Sequence, residues 1–284
     1  MTGGLPSALE VATLGAMGTA RQDSRIGLLI TVIMSVIAFV DVPPLSAQQV
    51  PQRGEPDLRA THALAYADCM SLARSNPEQA LGIAARWERE GGDEGARHCR
   101  AIALLNWGSY ADAAQQLETL AATTNRPGKR LKGELFVQAG QAWLIAGQTN
   151  RALSAQTRAL ELLGPEQEVL LDRAITLASA GDYWKAIDDL NDVIDQEPRH
   201  GGALVLRATA WRKLENLDLA QDDIDRAIAI SPGSVDALLE RGNIRLLQGD
   251  ATGAAADWGA VIAAGPKSPA ADSARENLAK MGKP

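Results

Sequence analysis

Residues that build metal sites and disulfide frameworks are scarce in this 284-residue chain. It contains two cysteines and three histidines, too few for a closed zinc cluster or a disulfide-dense scaffold. It also lacks a nucleophile motif, a phosphate-binding glycine loop, an HExxH metal site and a CxxCH haem site. We therefore expect no enzyme activity, no metal and no cofactor.

An excess of basic residues is also absent. The 28 Lys and Arg residues are outnumbered by 35 Asp and Glu residues, which gives a net charge of -7 and argues against nucleic acid or an anionic membrane as the main partner. Aromatic residues make up only 4% of the chain, but 46% of its residues are hydrophobic. That apolar fraction is ordinary for a folded protein and excludes wholesale disorder.

One long apolar run is present, over residues 26–40, and it contains no charged residue. Fifteen residues span about 22 Å as a helix, which is short of the roughly 30 Å hydrocarbon core. Arg21 and Arg25 precede the run, and a turn-prone stretch that ends in the small residue Ala47 follows it. This order is typical of a secretory signal, which we expect over residues 1–47 with cleavage after Ala47.

Two alternatives to cleavage stay open. The run could remain as an anchor, with Asp41 at the far interface of the membrane, or the chain could stay unexported. Met17 would give a compact basic start to the signal, and we expect it to be the initiator. Cleaved or anchored, the body of the chain lies outside the cytoplasm, so we expect a periplasmic protein. A linker over residues 48–60 follows the signal.

The chain repeats itself every 34 residues. Windows that begin at Gly147, Gly181, Glu215 and Gly249 align without gaps, and the same phase holds a small residue in the first half of each repeat and an alanine in the second. A proline closes three of the windows. The residues in phase are Gly140, Ala174, Ala208 and Gly242; Ala152, Ala186, Ala220 and Ala254; and Pro198, Pro232 and Pro266.

Each window predicts two amphipathic helices joined by a short turn. The small residues fall where the paired helices cross. This pattern resembles the tetratricopeptide repeat family over residues 133–268. The resemblance implies an all-α, right-handed superhelical solenoid of helix–turn–helix repeats.

Weaker repeats precede the four regular ones. Two divergent repeats are expected over residues 61–132, starting near 61 and 94, before the regular repeats start near 133, 167, 201 and 235. The longer second step predicts a basic loop that contains Arg126, Lys129, Arg130 and Lys132. A solvated linker is the plain interpretation of that loop, and contact with an acidic partner or lipid head groups is the alternative. Residues 269–284 supply a polar capping helix and tail.

Two charged residues also recur with the 34-residue period. An arginine on each first helix is followed, 16 residues later, by an aspartate on the second helix. This spacing suits structural ion pairs within or between repeats, and a row of ligand-binding residues is the alternative. The residues are Arg173, Arg207 and Arg241, with Asp189, Asp223 and Asp257.

Cys69 and Cys99 fall on the first helices of the two divergent repeats. Adjacent first helices pack side by side, so the two thiols can come within disulfide range, and an exported protein would keep such a bond. Two buried free thiols are the first alternative. A redox or metal role with His98 is the second, although this set is short of a closed metal site.

The resemblance also implies a binding surface, because the concave groove lined by first helices is the usual binding surface of this family. It offers few of the basic and Asn residues with which some family members clamp a terminal carboxylate. An apolar peptide or amphipathic helix is the expected occupant, and packing of these residues against neighbouring helices is the alternative. The matching positions are Val137, Gln141, Leu144, Leu171, Ile175, Val205, Thr209, Arg212, Leu239, Asn243 and Leu246.

These observations predict a non-catalytic adaptor that binds a partner protein in the bacterial cell envelope. One alternative is a structural subunit of an envelope assembly that uses the convex face or the end caps. Another is a regulatory subunit of an envelope enzyme. We expect no nucleic acid partner, and membrane contact only through an uncleaved N-terminal segment.

Overall fold

The computed structural model describes residues 58–125 and 128–281, which are helical and contain no strand. The expected signal over residues 1–47, most of the linker and Arg126 lie outside the described residues. Within them, thirteen α-helices follow one another. They are α1 (Leu58–Ser75), α2 (Pro77–Trp87), α3 (Asp93–Trp107), α4 (Tyr110–Thr123), α5 (Lys129–Ile145), α6 (Thr149–Leu163), α7 (Gln167–Ser179), α8 (Tyr183–Gln196), α9 (Gly201–Lys213), α10 (Leu217–Ile230), α11 (Val235–Leu247), α12 (Ala251–Ala264) and α13 (Pro269–Met281).

Successive helices form six repeats, α1/α2 through α11/α12, with α13 at the end. Apart from α1, which packs most extensively against α3, each helix packs mainly against its neighbours in the chain, and first helices also contact first helices, as α7 contacts α9 and α9 contacts α11. No two second helices pack to this extent in the part of the chain that the structure describes. First helices therefore line the inner, concave side of a curved array. The predicted all-α solenoid is confirmed over these residues.

The two helices of a repeat cross where both carry a small residue. Ala208 of α9 and Ala220 of α10 have no exposed surface. At the crossing of α11 with α12, a Cβ atom added to Gly242 would lie 2.4 Å from the indole nitrogen of Trp258. A Cβ atom at such a distance would force a neighbour to move, so this crossing requires glycine.

The turn inside each regular repeat needs a residue with positive φ. Gly147, Gly181 and Gly249 adopt φ values of 71°, 83° and 89° there, and glycine takes these values without strain. Glu215 holds the same position between α9 and α10 with φ 60°. The turn geometry is thus maintained even where the sequence departs from glycine.

The basic segment before α5 differs from the expected loop. The helix already begins at Lys129, so Lys129, Arg130 and Lys132 belong to its first turn and the prediction of a loop is wrong for these residues. Lysine, arginine and leucine favour helix, and Arg130 Nε lies 2.9 Å from Glu134 Oε1 one turn later. The connection is consequently short and ends at Gly128, whose φ is 133°.

The periodic arginines and aspartates form bidentate pairs within repeats. Arg207 Nε and Nη2 donate to the two carboxylate oxygens of Asp223 at 2.8 and 2.7 Å. The pairs Arg173–Asp189 and Arg241–Asp257 repeat this geometry. Arg207 also donates to Asn191 on the second helix of the preceding repeat, at 2.6 Å. Each arginine thus joins the two helices of its repeat, and Arg207 also fixes the register between repeats.

Cys69 of α1 and Cys99 of α3 are bonded to each other in the structure, with Cα atoms 6.0 Å apart and a sequence separation of 30. They lie in a core whose fully buried residues are otherwise alanines, namely Ala73, Ala80, Ala84 and Ala103. Small side chains bury little apolar area. A covalent link between these cysteines would therefore stabilise a core that is built from small side chains.

Removing one partner of a buried ion pair should be far more costly than removing both. Asp223 is 2% exposed, so we expect Asp223→Ala to lower the free energy of unfolding by about 3 kcal/mol, because Arg207 is left without its counter-charge. The double variant Arg207→Ala, Asp223→Ala should lose less than the sum of the single variants in urea denaturation. Arg275→Ala, which removes an exposed pair with Asp272, is the control and should cost less than about 1 kcal/mol.

Loss of the disulfide should destabilise the first two repeats. On the chain-entropy model, closing a loop of about 30 residues contributes roughly 3 to 4 kcal/mol. We expect the double variant Cys69→Ala, Cys99→Ala to unfold at correspondingly lower denaturant, and the unreduced native protein to have two hydrogens fewer by intact mass. Alkylation of two thiols in the unreduced native protein would contradict the bond.

Candidate partner-binding groove

The eleven predicted groove residues lie on four first helices, α5, α7, α9 and α11. We call the inward side of these helices the concave groove. Ten of the eleven are partly buried, and Leu246 is 37% exposed. The structure therefore brings them to one side of the array but covers each of them in part by neighbouring helices.

Several apolar members of the set also support the core. Leu171 and Val205 pack against the central hydrophobic cluster. Val137 and Leu144 pack against the cluster before it, and Leu239 packs against the last one. Ile175 and Leu246 belong to none of these clusters, so they are the groove positions where a substitution disturbs the core least.

The polar members are engaged by neighbouring first helices. Gln141 of α5 donates to Asp172 Oδ2 of α7 at 2.7 Å. Arg212 of α9 donates through Nε and Nη2 to the Glu240 carboxylate of α11, at 2.5 and 3.2 Å. These side chains link successive repeats across the floor of the groove.

The second network extends to the end of the array. Asn243 donates to Glu240 Oε2 at 2.9 Å and accepts from Asn277 of α13, also at 2.9 Å. Arg212 is therefore the start of a chain of contacts that crosses three first-helix positions. Thr209, the remaining polar residue of the set, donates to the Val205 carbonyl of its own helix.

Between these networks the groove is apolar. Among the described residues, no side-chain hydrogen bond or ion pair joins α7 to α9. The groove there presents Leu171 and Ile175 from α7 and Val205 from α9, all half-buried. We call these three residues the apolar segment. It has the character of a surface that recognises apolar side chains.

Asp172 borders this segment and has an altered pKa. Burial raises the pKa of its carboxyl group from 3.8 to about 6, with a further rise from Glu168 on the same helix and an opposing effect of the hydrogen bond from Gln141. A charged carboxylate in this position lacks part of its hydration without gaining a cationic partner.

Sequence reasoning selected Gln141, Arg212 and Asn243 but missed their partners Asp172, Glu240 and Asn277. A signal for the two acids was present, because Asp172 and Glu240 are two repeat lengths apart and hold the same repeat position. Both acids were missed because they bond to the preceding first helix and are not among the groove positions that other family members use to bind ligands.

A second concave feature lies among the first three first helices. The hydroxyl of Tyr66 is 2.7 Å from His98 Nδ1, and His98 Nε2 is 3.1 Å from Gln138 Oε1. A cavity of about 760 Å³ opens beside them and is also lined by His62 and Trp87. The same region thus combines aromatic surface with a hydrogen-bonded chain across α1, α3 and α5.

Exposed large apolar side chains are concentrated along one edge. Of the seven in the described ranges, six lie next to the turn between the two helices of a repeat. Trp184 is 61% exposed, and its ring meets that of Trp211 edge-on with centroids 5.5 Å apart. We call this the hairpin-tip edge; its members are Trp107, Ile145, Trp184, Leu219, Leu246 and Leu247.

Neither a metal centre nor a membrane-spanning helix is found within residues 58–125 and 128–281. No group of three or more His, Cys, Asp or Glu side chains there could hold a metal ion. None of the helices in these ranges combines the length and the apolar character needed to cross a membrane.

The sequence matches a tetratricopeptide repeat family model twice, over residues 171–235 and 212–269. A search of curated proteins found no match. Among solved structures, a tetratricopeptide repeat protein from Parabacteroides merdae is 19% identical with a TM-score of 0.56, and the alignment covers 81% of this chain and 88% of that one.

Two further solved structures have the same fold. YrrB, described as a TPR protein with an unusual peptide-binding site, is 22% identical with a TM-score of 0.52, over 65% of this chain and 96% of its own. MamA from Desulfovibrio magneticus is 20% identical with a TM-score of 0.53, over 60% of this chain and 94% of its own. The family match identifies tetratricopeptide repeats over residues 171–269, and these likenesses show the same fold over most of the chain.

Proposed function

We propose that this protein is a non-catalytic adaptor of the bacterial cell envelope, and that its concave groove holds a peptide or helix of a partner protein. The observation that carries the proposal is the apolar segment. Leu171, Ile175 and Val205 form a stretch of groove without side-chain hydrogen bonds between its two helices, so a partner's apolar side chains would displace water without breaking polar contacts.

The state of the polar groove residues supports the same proposal. Gln141, Arg212 and Asn243 are held by acids or amides of neighbouring first helices. They therefore keep the groove in one shape, and a preformed groove loses less conformational entropy when a peptide binds. A protein of the same fold, YrrB, is described as having a peptide-binding site.

The proposed envelope location rests on the sequence. The apolar run over residues 26–40 follows basic residues and precedes a turn-prone stretch that ends in the small residue Ala47, as in a secretory signal. The approach of Cys69 and Cys99 within a largely alanine core is consistent with an oxidising compartment. Periplasmic export with cleavage after Ala47 is the proposal, and an inner-membrane anchor is its alternative.

One observation favours the alternative function, a structural subunit of an envelope assembly. The hairpin-tip edge carries nearly all the exposed large apolar residues of the described ranges, and tryptophan is enriched at the centres of protein interfaces. A subunit built into an envelope assembly would use this edge instead of the groove. Apart from Leu246, which belongs to both sets, the two functions therefore place the essential residues on different surfaces.

The groove function predicts that two charged substitutions abolish capture of the partner. Ile175→Arg with Thr209→Arg introduces cations at groove positions outside the core clusters and outside the hairpin-tip edge, so the fold should persist while the partner's apolar side chains are repelled. We expect at least a tenfold loss of crosslinked partner in pull-downs from cell envelopes, compared with wild type.

The matched control places the same two cations on the other surface. Leu219→Arg with Leu247→Arg changes residues of the hairpin-tip edge that are 43% and 59% exposed. Full capture by this control, with loss in the groove variant, supports the adaptor. The reverse pattern would transfer the function to the edge and favour the structural subunit. Circular dichroism of both variants verifies that they fold.

Export predicts a defined N terminus. We expect the protein recovered from the periplasmic fraction to begin at Gln48, because the small residue before it suits signal peptidase. Intact mass spectrometry of that fraction measures this directly. Recovery of the chain with residues 26–40 from membranes would instead establish the anchor, and a cytoplasmic full-length chain would contradict export.

A further inference from the structure

Two acids hold the same position in different repeats but have different surroundings. Asp172 is in repeat α7/α8 and Glu240 is in repeat α11/α12, two repeat lengths further along the chain. Glu240 is 5% exposed and fully paired: Arg212 donates to both of its oxygens, and Asn243 donates to one of them. Glu240 therefore shows how an acid at this repeat position is neutralised by neighbouring side chains.

The residues equivalent to those partners are apolar around Asp172. Arg212 precedes Glu240 by 28 residues, and the residue that precedes Asp172 by the same interval is Leu144. The equivalent of Asn243 is Ile175. Asp172 thus retains the acid of this arrangement without the arginine or the asparagine.

No cation among the described residues compensates for this loss. Within the described ranges, no Lys, Arg or His lies within salt-bridge distance of Asp172, whose hydrogen-bonding side chain partner is Gln141. Arg173, its neighbour in sequence, is turned to Asp189 on α8, and Arg207 of the adjoining first helix is held by Asp223. Glu168 adds further negative potential on the same helix.

We propose that Asp172 is the subsite for a basic side chain of the partner, so that the groove selects apolar peptides that carry a lysine or arginine. This proposal rests on the proposed groove function and specifies its partner. The cation would take the place that Arg212 fills beside Glu240. Its aliphatic stem would lie along Leu144 and Ile175, as long basic side chains do on apolar surfaces.

Charge complementarity favours this occupant over an acidic or neutral one. The raised pKa of Asp172 indicates a carboxylate that is poorly solvated when charged, and a cation brought by a partner would restore the missing interaction. An acidic partner residue would face both Asp172 and Glu168. A basic residue is therefore selected by attraction, and an acidic one is rejected by repulsion.

The test uses an array of apolar octapeptides, each made in three versions with Lys, Gln or Glu at one central position. Purified full-chain protein is applied at pH 7.5 and low salt, and the best-binding sequence families are then measured in solution. We expect the Lys version to bind at least tenfold more tightly than the Glu version, with the Gln version between them.

Two variants with opposite designs test the role of Asp172. Asp172→Asn removes the charge and keeps the shape, so the preference for Lys over Glu should fall below twofold. Leu144→Arg keeps Asp172 but supplies the arginine found beside Glu240, and it should abolish the same preference by neutralising the acid within the chain. Asp188→Asn, on the exposed side of α8, is the control and should retain the wild-type preference.

A second readout separates this role from a structural one. The pKa of Asp172 is higher in the folded state than its ordinary value of 3.8, so its ionisation destabilises the fold as pH rises through about 6. Asp172→Asn should therefore raise the thermal midpoint at pH 7.5, with a smaller gain at pH 4. A residue that mainly supports structure would give a lower midpoint when substituted.

Each outcome decides one of the two proposals. A tenfold Lys preference that persists in Asp172→Asn would overturn the subsite and leave the groove function standing. Wild-type binding without any charge preference would do the same. Failure of the wild-type protein to bind any apolar octapeptide, in an array that binds a control protein, would overturn the groove function and the subsite together.

Discussion

The close crossing of two helices within each repeat is the constraint on which the rest of the structure depends. Ala208 and Ala220 meet without exposed surface, and Gly242 leaves no room for a Cβ atom beside Trp258. At this separation the first helix of one repeat can also reach the first helix of the next. The concave groove therefore follows from the small residues, because they set how closely the backbones approach.

Arg–Asp pairs fix the position of one helix relative to the next, but the close crossing of the helices does not require them. In repeats α7/α8, α9/α10 and α11/α12 the arginine spans the two helices, whereas repeat α5/α6 has Ala139 and Ala155 at the same two positions. Both alanines have no exposed surface. A buried ion pair and a small apolar contact are thus alternative solutions at one place, as expected when the desolvation of charges offsets much of their attraction.

The fold could be predicted from the sequence because a 34-residue period reflects the way in which the helices pack. Small residues, turns and helix lengths recur together, so the solenoid follows from their phase. The start of α5 was missed because Lys129 and Arg130 suggested a solvated loop, although they also favour helix. The partners Asp172, Glu240 and Asn277 were missed for another reason: contacts between successive first helices depend on how the repeats stack, which a single repeat does not encode.

Selectivity in such a groove arises where one repeat departs from its equivalents. Most polar groove residues are already bonded to neighbouring helices, so they maintain shape and offer little to a partner. Asp172 is different, since Leu144 and Ile175 occupy the positions that Arg212 and Asn243 hold around Glu240. In an array of nearly equal units, a distinct site can therefore arise where the polar partners of a buried acid are replaced by apolar residues.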